Sequence, residues 1–476
     1  MRDHLAQGRL CRDGLLQPEA AADLMARVEA EGIETLRMLF ADAHGILRGK
    51  TVTRRGLEGA LKAGLRVPST LLLKDLSHRT VFPIWSEAGD TPMAGASDVL
   101  LVPRVETFCP LPHAPHSAMI LCRVLRTDGS AIPFVPETLL QGAIDRLATR
   151  GMRAVMGLEV EFQVFEPVEA ALDHADATMP PRPPLTRGVN QGWQYLTETR
   201  YDAAEPLLDI LRRSAEVMGL PVLSVEVEMG PSQFEFTFAA DDPLTIADRA
   251  VLFRTMVKEI CAREGYLASF MAKPRLENAA ANGWHIHQSV TDMDGRNLLI
   301  PDEGGVLTDV ASGWIGGLLA HARASCIATT PTVNGYKRYA PYQLAPNRIG
   351  WGADNRGAML RALMAPGDGA SRVENRVADS AANPYFALAF QILSGLDGIE
   401  AGDPAPAPLE NPYDDAAEQL PATLGEAIAA FEASPMYREA LGEETVSYLA
   451  RLKRAEWERY LSAISEWEQA EYFTAF

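Results

Sequence analysis

The sequence predicts an α+β protein in which a small β-rich N-terminal domain precedes a larger domain built on a concave sheet with a charged interior. Two observations carry that expectation. Strand-like alternation fills two separate stretches, one before residue 131 and one from Val155 onward, with helical patterns beside them. Four of the later strands each present a polar face of ligand-type residues, which four unrelated solvated edges would explain poorly. With 476 residues and 47% hydrophobic content the chain can bury a large core. Length alone suggests two to four domains of roughly 100–200 residues.

Taken in order, residues up to about 27 read as helical with polar flanks. Glu34 to Thr53 reads as two strands around a turn at Ala43-His44-Gly45. Asp98–Val105 and Met119–Leu125 are further strands, so the first domain spans 1–131. The second, 132–476, opens on the helix VPETLLQGAIDRLATRG. Pro136 suits an early helical position because its missing N–H has no partner there, and Gly151 stands past the end. Glu166 to Gly192, with its PPRPP run, reads as an irregular excursion. Residues 402–421, which include Tyr413, form a Pro-rich connector. At the end, Leu449, Leu452, Tyr460, Leu461, Ile464 and Trp467 recur at helical spacing.

Charge narrows the partners. The formal net charge is -19, from 44 Lys+Arg against 63 Asp+Glu, which disfavours nucleic acid or an anionic membrane. Cys11, Cys109, Cys122, Cys261 and Cys326 are scattered with no CxxC pair, as in a reduced cytosolic protein. The start, MRDHLAQGRLCRDG, has no apolar signal core, and no run reaches the eighteen or so apolar residues of a membrane span. A soluble, cytoplasmic protein is expected.

The chemistry lies on the polar faces. In Val155–Phe165, Glu159 and Glu161 share one face and Leu158, Val160, Phe162 and Val164 the other. In VEVEMGPSQFEFTF, Glu226 and Glu228 share a face; past Gly230-Pro231, Gln233, Glu235 and Thr237 oppose three phenylalanines. GWHIHQS aims His285 and His287 the same way, and Arg372, Glu374 and Arg376 point together. Any one of these is the pattern of an ordinary half-solvated strand. Together they suit Mg²⁺ or Mn²⁺ better than zinc, because the set is oxygen-rich and lacks a thiolate. Thr332–Arg361 adds five Lys or Arg among Gly, Pro and Asn, so several cations can converge on a polyphosphate. An enzyme that holds a nucleotide against metal ions is the reading. Gly45–Thr51 imitates a phosphate-binding loop, but three residues separate its glycines where that loop has four; a hairpin with a basic end accounts for it better.

These residues are carried by GLEVEF, EMGPSQFE, GWHIHQS, NGYKRYAPYQLAP, NRGAMLR and RVENR…ADSAANPY, whose order and spacing resemble the glutamine synthetase family over nearly the whole chain. The resemblance implies an N-terminal β-grasp domain and a catalytic domain with an antiparallel half-barrel sheet flanked by helices. It implies a homo-oligomer, a dodecamer of two stacked hexameric rings with sites between neighbours. By the same resemblance, Glu161, Glu228 and Glu235 hold one metal ion and Glu159, His285 and Glu374 a second. His287, Ser289, Arg356 and Arg361 face ATP, and Arg372 the nucleotide phosphates. Arg338 and Arg376 bind glutamate, beside Glu161 and Gly283, and Arg338, Arg356 and Arg376 are the expected catalytic cations. The implied reaction phosphorylates the γ-carboxylate of glutamate with ATP; a nitrogen nucleophile then displaces phosphate, with water excluded.

Departures from the family pattern bear on the nitrogen donor. Where glutamine synthetases carry a glutamate after the Lys-Arg pair, this chain has Leu344, in Tyr342-Gln343-Leu344-Ala345-Pro346. The N-terminal aspartate that collects ammonium has no clear counterpart; Asp75 is its nearest stand-in. An alkyl side chain in place of an anion removes attraction for a small cation and adds apolar contact. Leu344 is therefore expected to line an amine pocket, with Trp85 and Trp193 as candidate walls. Ala280-Ala281 replaces the family's Asn-Gly ahead of the histidines. The expected activity is γ-glutamyl-amide formation from glutamate, ATP and an alkyl or aryl amine. The alternatives are glutamine synthesis from ammonia and an inactive structural relative.

Overall fold

A computed structural model describes residues 2–84, 93, 95–169, 173–339, 344–402, 404–413 and 417–476. Near the N-terminus, Thr35–Ala41 (β1) and Leu47–Thr53 (β2) form the expected hairpin. Its turn is built by Asp42, whose carboxylate accepts from the backbone N–H of His44 (2.9 Å) and Ile46 (3.0 Å) and from Arg48 Nε (2.6 Å). Gly45 takes a left-handed φ of 69°, and Gly49 lies inside β2, so this stretch is a hairpin and not a phosphate loop. Strands β3 (Leu65–Pro68), β4 (Asp98–Pro103), β5 (Cys109–Pro110) and β6 (Ser117–Arg126) complete a mixed sheet. Its order among the described residues is β2-β1-β6-β4-β3, with β5 beside β6 and β1 parallel to β6.

Two local features differ from the sequence expectation. The leading helix is broken into Arg2–Ala6, Arg9–Arg12 and Pro18–Ala30, with Gly8 and Gly14 at the breaks. Arg54–Ala63, not anticipated as helical, buries Leu57, Ala60 and Leu61 on one face, a spacing readable in retrospect.

The second sheet is built around Met152–Pro167 (β7). Its other strands are β8 (Thr186–Gly188), β9 (Val222–Val227), β10 (Gln233–Phe238), β11 (Leu267–Ser269), β12 (Trp284–Asp292), β13 (Trp351–Ala353), β14 (Leu360–Leu363) and β15 (Arg372–Asn375). The order is β13-β14-β15-β12-β7-β10-β9, with β8 and β11 pairing further along β7. All pairs are antiparallel except β13 with β14. Strand β8 lies within the stretch expected to be irregular, and β13 within the cationic run; both are three residues long, too short for a period-2 pattern to reveal.

Period 2 sends Phe162 of β7 and Phe234, Phe236 and Phe238 of β10 to the face opposite the carboxylates. There Phe162, Phe234, Phe236 and Phe238 meet Phe253, from the helix Pro243–Arg263, and Phe270. Phe162 is fully buried, with ring centroids 5.1 Å from Phe270 and 5.8 Å from Phe253. Phe162→Ala is expected to destabilise the protein by about 3–5 kcal/mol, through lost transfer energy and a cavity that stiff aromatic neighbours cannot fill. Chemical denaturation measures it; a loss under about 1 kcal/mol would mean the ring cluster does not anchor the sheet.

Buried polar contacts tie the two sheets together. Arg104 grips Asp248 with both terminal nitrogens (3.0 and 2.7 Å), and Tyr385 donates to the same carboxylate at 2.7 Å. Asn383 donates to Asp42 O and Arg254 to Gly45 O, each at 3.0 Å. The helix Pro435–Leu461 buries Leu449 and Leu452, but Tyr460, Leu461, Ile464 and Trp467 are exposed, so the later half of the expected apolar stripe has no cover within this chain. Among the described residues no helix is long and apolar enough to cross a membrane.

Candidate functional site

Strand register assembles the polar face of the second sheet into rows. Glu226 of β9 pairs with Glu235 of β10, and Glu235 with Glu161 of β7. One row along, Glu159 lies between Thr237 and His285. In the next, His287 pairs with both Gly157 and Glu374, and Glu374 with Arg361. A side chain at Gly157 would meet the His287 Cβ at 3.0 Å, so glycine there keeps the imidazole free to turn inward.

Glu159, His285 and Glu374 offer ligand atoms within 4.8 Å of one another, the grouping expected for one ion. Glu161, Glu228 and Glu235, expected to hold the other, divide between two groups. Glu235 joins Glu161 and His285 in one, and Glu226 and Glu228 in the other. Glu226, which shares a face with Glu228 by alternation, is not in the expected ligand set but stands in the second of these groups. Its register opposite Glu235 brings it in, and the VEVE alternation was the available signal.

The donor set fits divalent cations. It is oxygen-rich with one imidazole, and among the described residues no ion pair neutralises Glu161, Glu226, Glu228 or Glu235. Burial pushes the carboxyl of Glu228 up to about 7, with Glu226 adding repulsion. Burial, then Glu228, pushes Glu161 to about 8, and burial with four carboxylate neighbours raises Glu235 further. Burial also opposes ionisation of Glu159 and Glu374, but the neighbouring imidazoles, and Arg376 beside Glu374, hold both below the usual carboxylate range.

These directions predict how the metal-free protein behaves. Carboxyls raised in the folded state keep protons that the unfolded chain releases above about pH 4.5. Their contribution is fully present below that pH and is lost as pH rises through about 7 and 8. The metal-free melting temperature is therefore expected to fall between pH 5 and 8, and millimolar Mg²⁺ or Mn²⁺ to restore it while releasing protons. Calorimetric scans with and without EDTA check this; a flat metal-free profile would contradict the crowded-carboxylate geometry.

Histidine partners define the hydrogen positions. Arg372 Nε donates to His287 Nδ1 at 3.0 Å, so His287 carries its proton on Nε2 and donates to Glu159 Oε2 at 2.9 Å. His285 Nδ1 contacts Glu159 Oε1 at 2.5 Å, and burial, with Arg376, lowers the His285 pKa. Arg361 donates to Glu374 Oε2 at 3.1 Å and also binds Asp354. Ser289 Oγ donates to Ser371 O at 2.9 Å, and Arg356 is exposed.

Arg338 and Arg376 are both buried, and the Nε of each lacks a partner. Arg338 donates to Val377 O at 2.9 Å, and Arg376 to Glu374. Gly283 completes a hollow: a Cβ there would lie 3.0 Å from His285 Nε2, 3.3 Å from Arg338 Nη2 and 3.5 Å from Glu161 Oε1. Buried guanidinium N–H groups without acceptors around an open space suit an anionic ligand. Asp379, fully buried, has its pKa pushed up to about 6 by burial against the pull of Arg338.

Residues linked to the nitrogen donor are placed as follows. Leu344 is 45% exposed and held at a left-handed φ of 55°. Tyr342 and Gln343, like Trp85, lie outside the described residues. Asp75 is buried; its carboxylate accepts from Arg459 and from the Arg79 backbone at 2.8 Å. Trp193 is half-exposed just before the turn at Tyr195 and Leu196, and its own backbone N–H donates to Met229 O at 2.7 Å, next in sequence to Glu228. Tyr195 on the same turn, which sequence reasoning missed, is raised to about 12 by burial and by Glu228, Glu226 and Glu235.

Comparison with known proteins identifies the family. The glutamine synthetase catalytic-domain family model matches residues 134–472. A γ-glutamylanilide synthase of Acinetobacter sp. is 35% identical over 480 residues, covering 96% of each chain. A glutamine synthetase of Halobacterium salinarum is 33% identical over 463 residues, covering 94% of this chain and 95% of the relative. A solved structure described as apo GmaS without ligand superposes with a TM-score of 0.81 at 29% identity, over 95% of this chain and all of that one. The chain belongs to the glutamine synthetase family and is an ATP-dependent carbon–nitrogen ligase.

Proposed function

We propose that the protein joins glutamate to an organic amine, with ATP hydrolysis, through γ-glutamyl phosphate. The observation that carries the amine half is the pairing of Leu344 with Asp75. Leu344 presents an exposed alkyl group on a strained backbone, the kind of residue found at functional loops, where ammonia users carry an anion. Asp75, the nearest stand-in for the ammonium-collecting aspartate, is taken up by Arg459. Both electrostatic attractions for ammonium are thus missing. Similarity to a γ-glutamylanilide synthase supports this reading.

In the proposed mechanism Glu159, His285 and Glu374 would hold one Mg²⁺ or Mn²⁺, and Glu161, Glu228 and Glu235 a second, with Glu226 beside them. Such ions, when bound, would supply positive charge to offset that of the ATP phosphates. His287, Ser289, Arg356, Arg361 and Arg372 position the nucleotide. Arg338 and Arg376 orient glutamate in the hollow at Gly283, so that a γ-carboxylate oxygen attacks the γ-phosphorus and ADP leaves. The amine, entering as its free base, then attacks the acyl carbon through nitrogen; the C–O bond to phosphate breaks, and nitrogen gives up a proton to the departing phosphate. Arg338, Arg356 and Arg376 offset charge on the transferred group throughout.

We further infer two domains, 1–131 as a β-grasp and 132–476 as a half-barrel catalytic domain, in a cytoplasmic dodecamer of stacked hexameric rings. The exposed Ile464, Trp467 and Phe473 support burial against a neighbouring copy. Light scattering tests this, and a fully active monomer overturns it. For the activity, ADP release is measured with glutamate and either ammonium or a panel of alkyl and aryl amines. Preference for ammonium over every amine would replace this reading with glutamine synthesis, and no turnover with any donor would leave the structural relative.

A further inference from the structure

Lys453 is the most unusual buried cation outside the carboxylate face. It is 7% exposed, and no described residue makes a hydrogen bond or ion pair with its ammonium group. The nearby anions are directed elsewhere: Asp42 serves Arg48 and two backbone N–H groups, Glu456 accepts from Val333 N at 3.0 Å, and Asp379 accepts from Ala381 N at 2.9 Å through Oδ1, while its buried Oδ2 makes no hydrogen bond. Burial lowers the Lys453 pKa, while Glu456, Asp379 and Asp42 oppose that at longer range. An ammonium largely removed from bulk water, without a protein acceptor and facing a cavity, is placed to be stabilised by an anion that reaches it through that cavity.

The side chain lines a cavity of about 60 Å³ between the β1–β2 turn and the helix Pro435–Leu461, walled by Leu76, Ile327, Phe386 and Leu449. Such a volume admits several water-sized groups. Next to it, sharing His44, Leu76, Thr332 and Ala381 as walls, lies an open cleft of about 810 Å³. Phe270, Met271, Val333 and Tyr460 give that cleft apolar surface. Neither space is lined by the metal-site carboxylates, the Gly283 hollow or Arg338.

We propose that this cavity and cleft form a second ligand site, which takes a monocarboxylate with an alkyl or aryl body. The carboxylate sits at Lys453 and the body lies in the cleft. Charge selects a monoanion. His44 donates Nε2–H to Lys74 O at 3.0 Å, burial and Lys453 lower its pKa, and Lys453 is the one Lys or Arg among the residues lining the inner cavity. A dianion would leave excess charge facing Asp42, Asp379 and Glu456. The apolar walls disfavour a fully hydrated inorganic anion. Thr332, also on the wall, supplies a hydroxyl suited to a carboxylate oxygen.

Phenylacetate and its uncharged counterpart phenylacetamide are the probes, titrated calorimetrically into the full chain with saturating glutamate and MgADP to occupy the reaction centre. Saturable binding of one phenylacetate per chain is expected, weakened about tenfold or more in Lys453→Met, and phenylacetamide is expected to bind correspondingly weakly. Leu76→Trp, at the exposed mouth, tests the same site without altering the buried charge and is expected to weaken binding to a similar degree. Unchanged affinity in either folded variant would overturn the proposal. So would equal affinity for the amide, or displacement of phenylacetate by chloride or phosphate at matched concentration.

Discussion

Glu161→Gln is expected to reduce acyl-phosphate formation by about 10²–10³-fold or more while leaving the fold intact and the metal-free protein more stable at pH 8. The two effects share a cause. Glu161 is buried among carboxylates that raise its pKa to about 8, so its charge is tolerated only when a cation is present. Glutamine keeps an oxygen to accept from Gly283 N (2.8 Å) and Gln233 Nε2 (3.0 Å), so the hydrogen bonds survive and the repulsion goes. ADP release with Mg²⁺ and thermal denaturation in EDTA measure the two sides. Retained turnover would remove Glu161 from the metal site; lost stability would show that its charge is already compensated without metal.

Leu344→Glu is expected to invert the nitrogen-donor preference. In the wild type each methylene of the donor buried against an apolar wall contributes about 0.8 kcal/mol, so a three-carbon amine gains well over tenfold in affinity relative to ammonium. The variant introduces an anion that attracts ammonium and penalises burial of an alkyl chain. Leu344 is 45% exposed, so the replacement needs no repacking and the protein should remain folded. The decisive quantity is the ratio of kcat/KM for a hydrophobic amine to that for ammonium. If that ratio is the same in wild type and variant, Leu344 does not line the amine pocket.

The polar faces were legible because a strand's period is two. Glu159 and Glu161, His285 and His287, and Arg372 and Glu374 each announce their side by alternation, and the phenylalanines opposite them announce the core. The hairpin at Ala43-His44-Gly45 was legible for a similar reason, since turn chemistry is local. Elements of three residues, such as β8 and β13, left no such signal. Their pairing is set by β7, across the irregular excursion, and by β14, itself only four residues long. The helix Arg54–Ala63 was missed although its buried spacing was present, masked by Gly56, Gly59 and flanking arginines.

Alternation assigns a residue to a face but says nothing of its row. The sequence by itself determined which carboxylates, imidazoles and cations share the polar face of their strand; the expectation that Leu344 stands where ammonia users carry an anion came from the resemblance of its motifs to the glutamine synthetase family. Tertiary structure decided the rest, because distances across a sheet follow from strand order and register. Register set Glu226 opposite Glu235, paired His287 with Glu374, and divided Glu161 from Glu228. Packing between distant segments committed Asp75 to Arg459 and left Lys453 buried without an acceptor. Those partners lie hundreds of residues apart or on separate layers, and no local pattern encodes them.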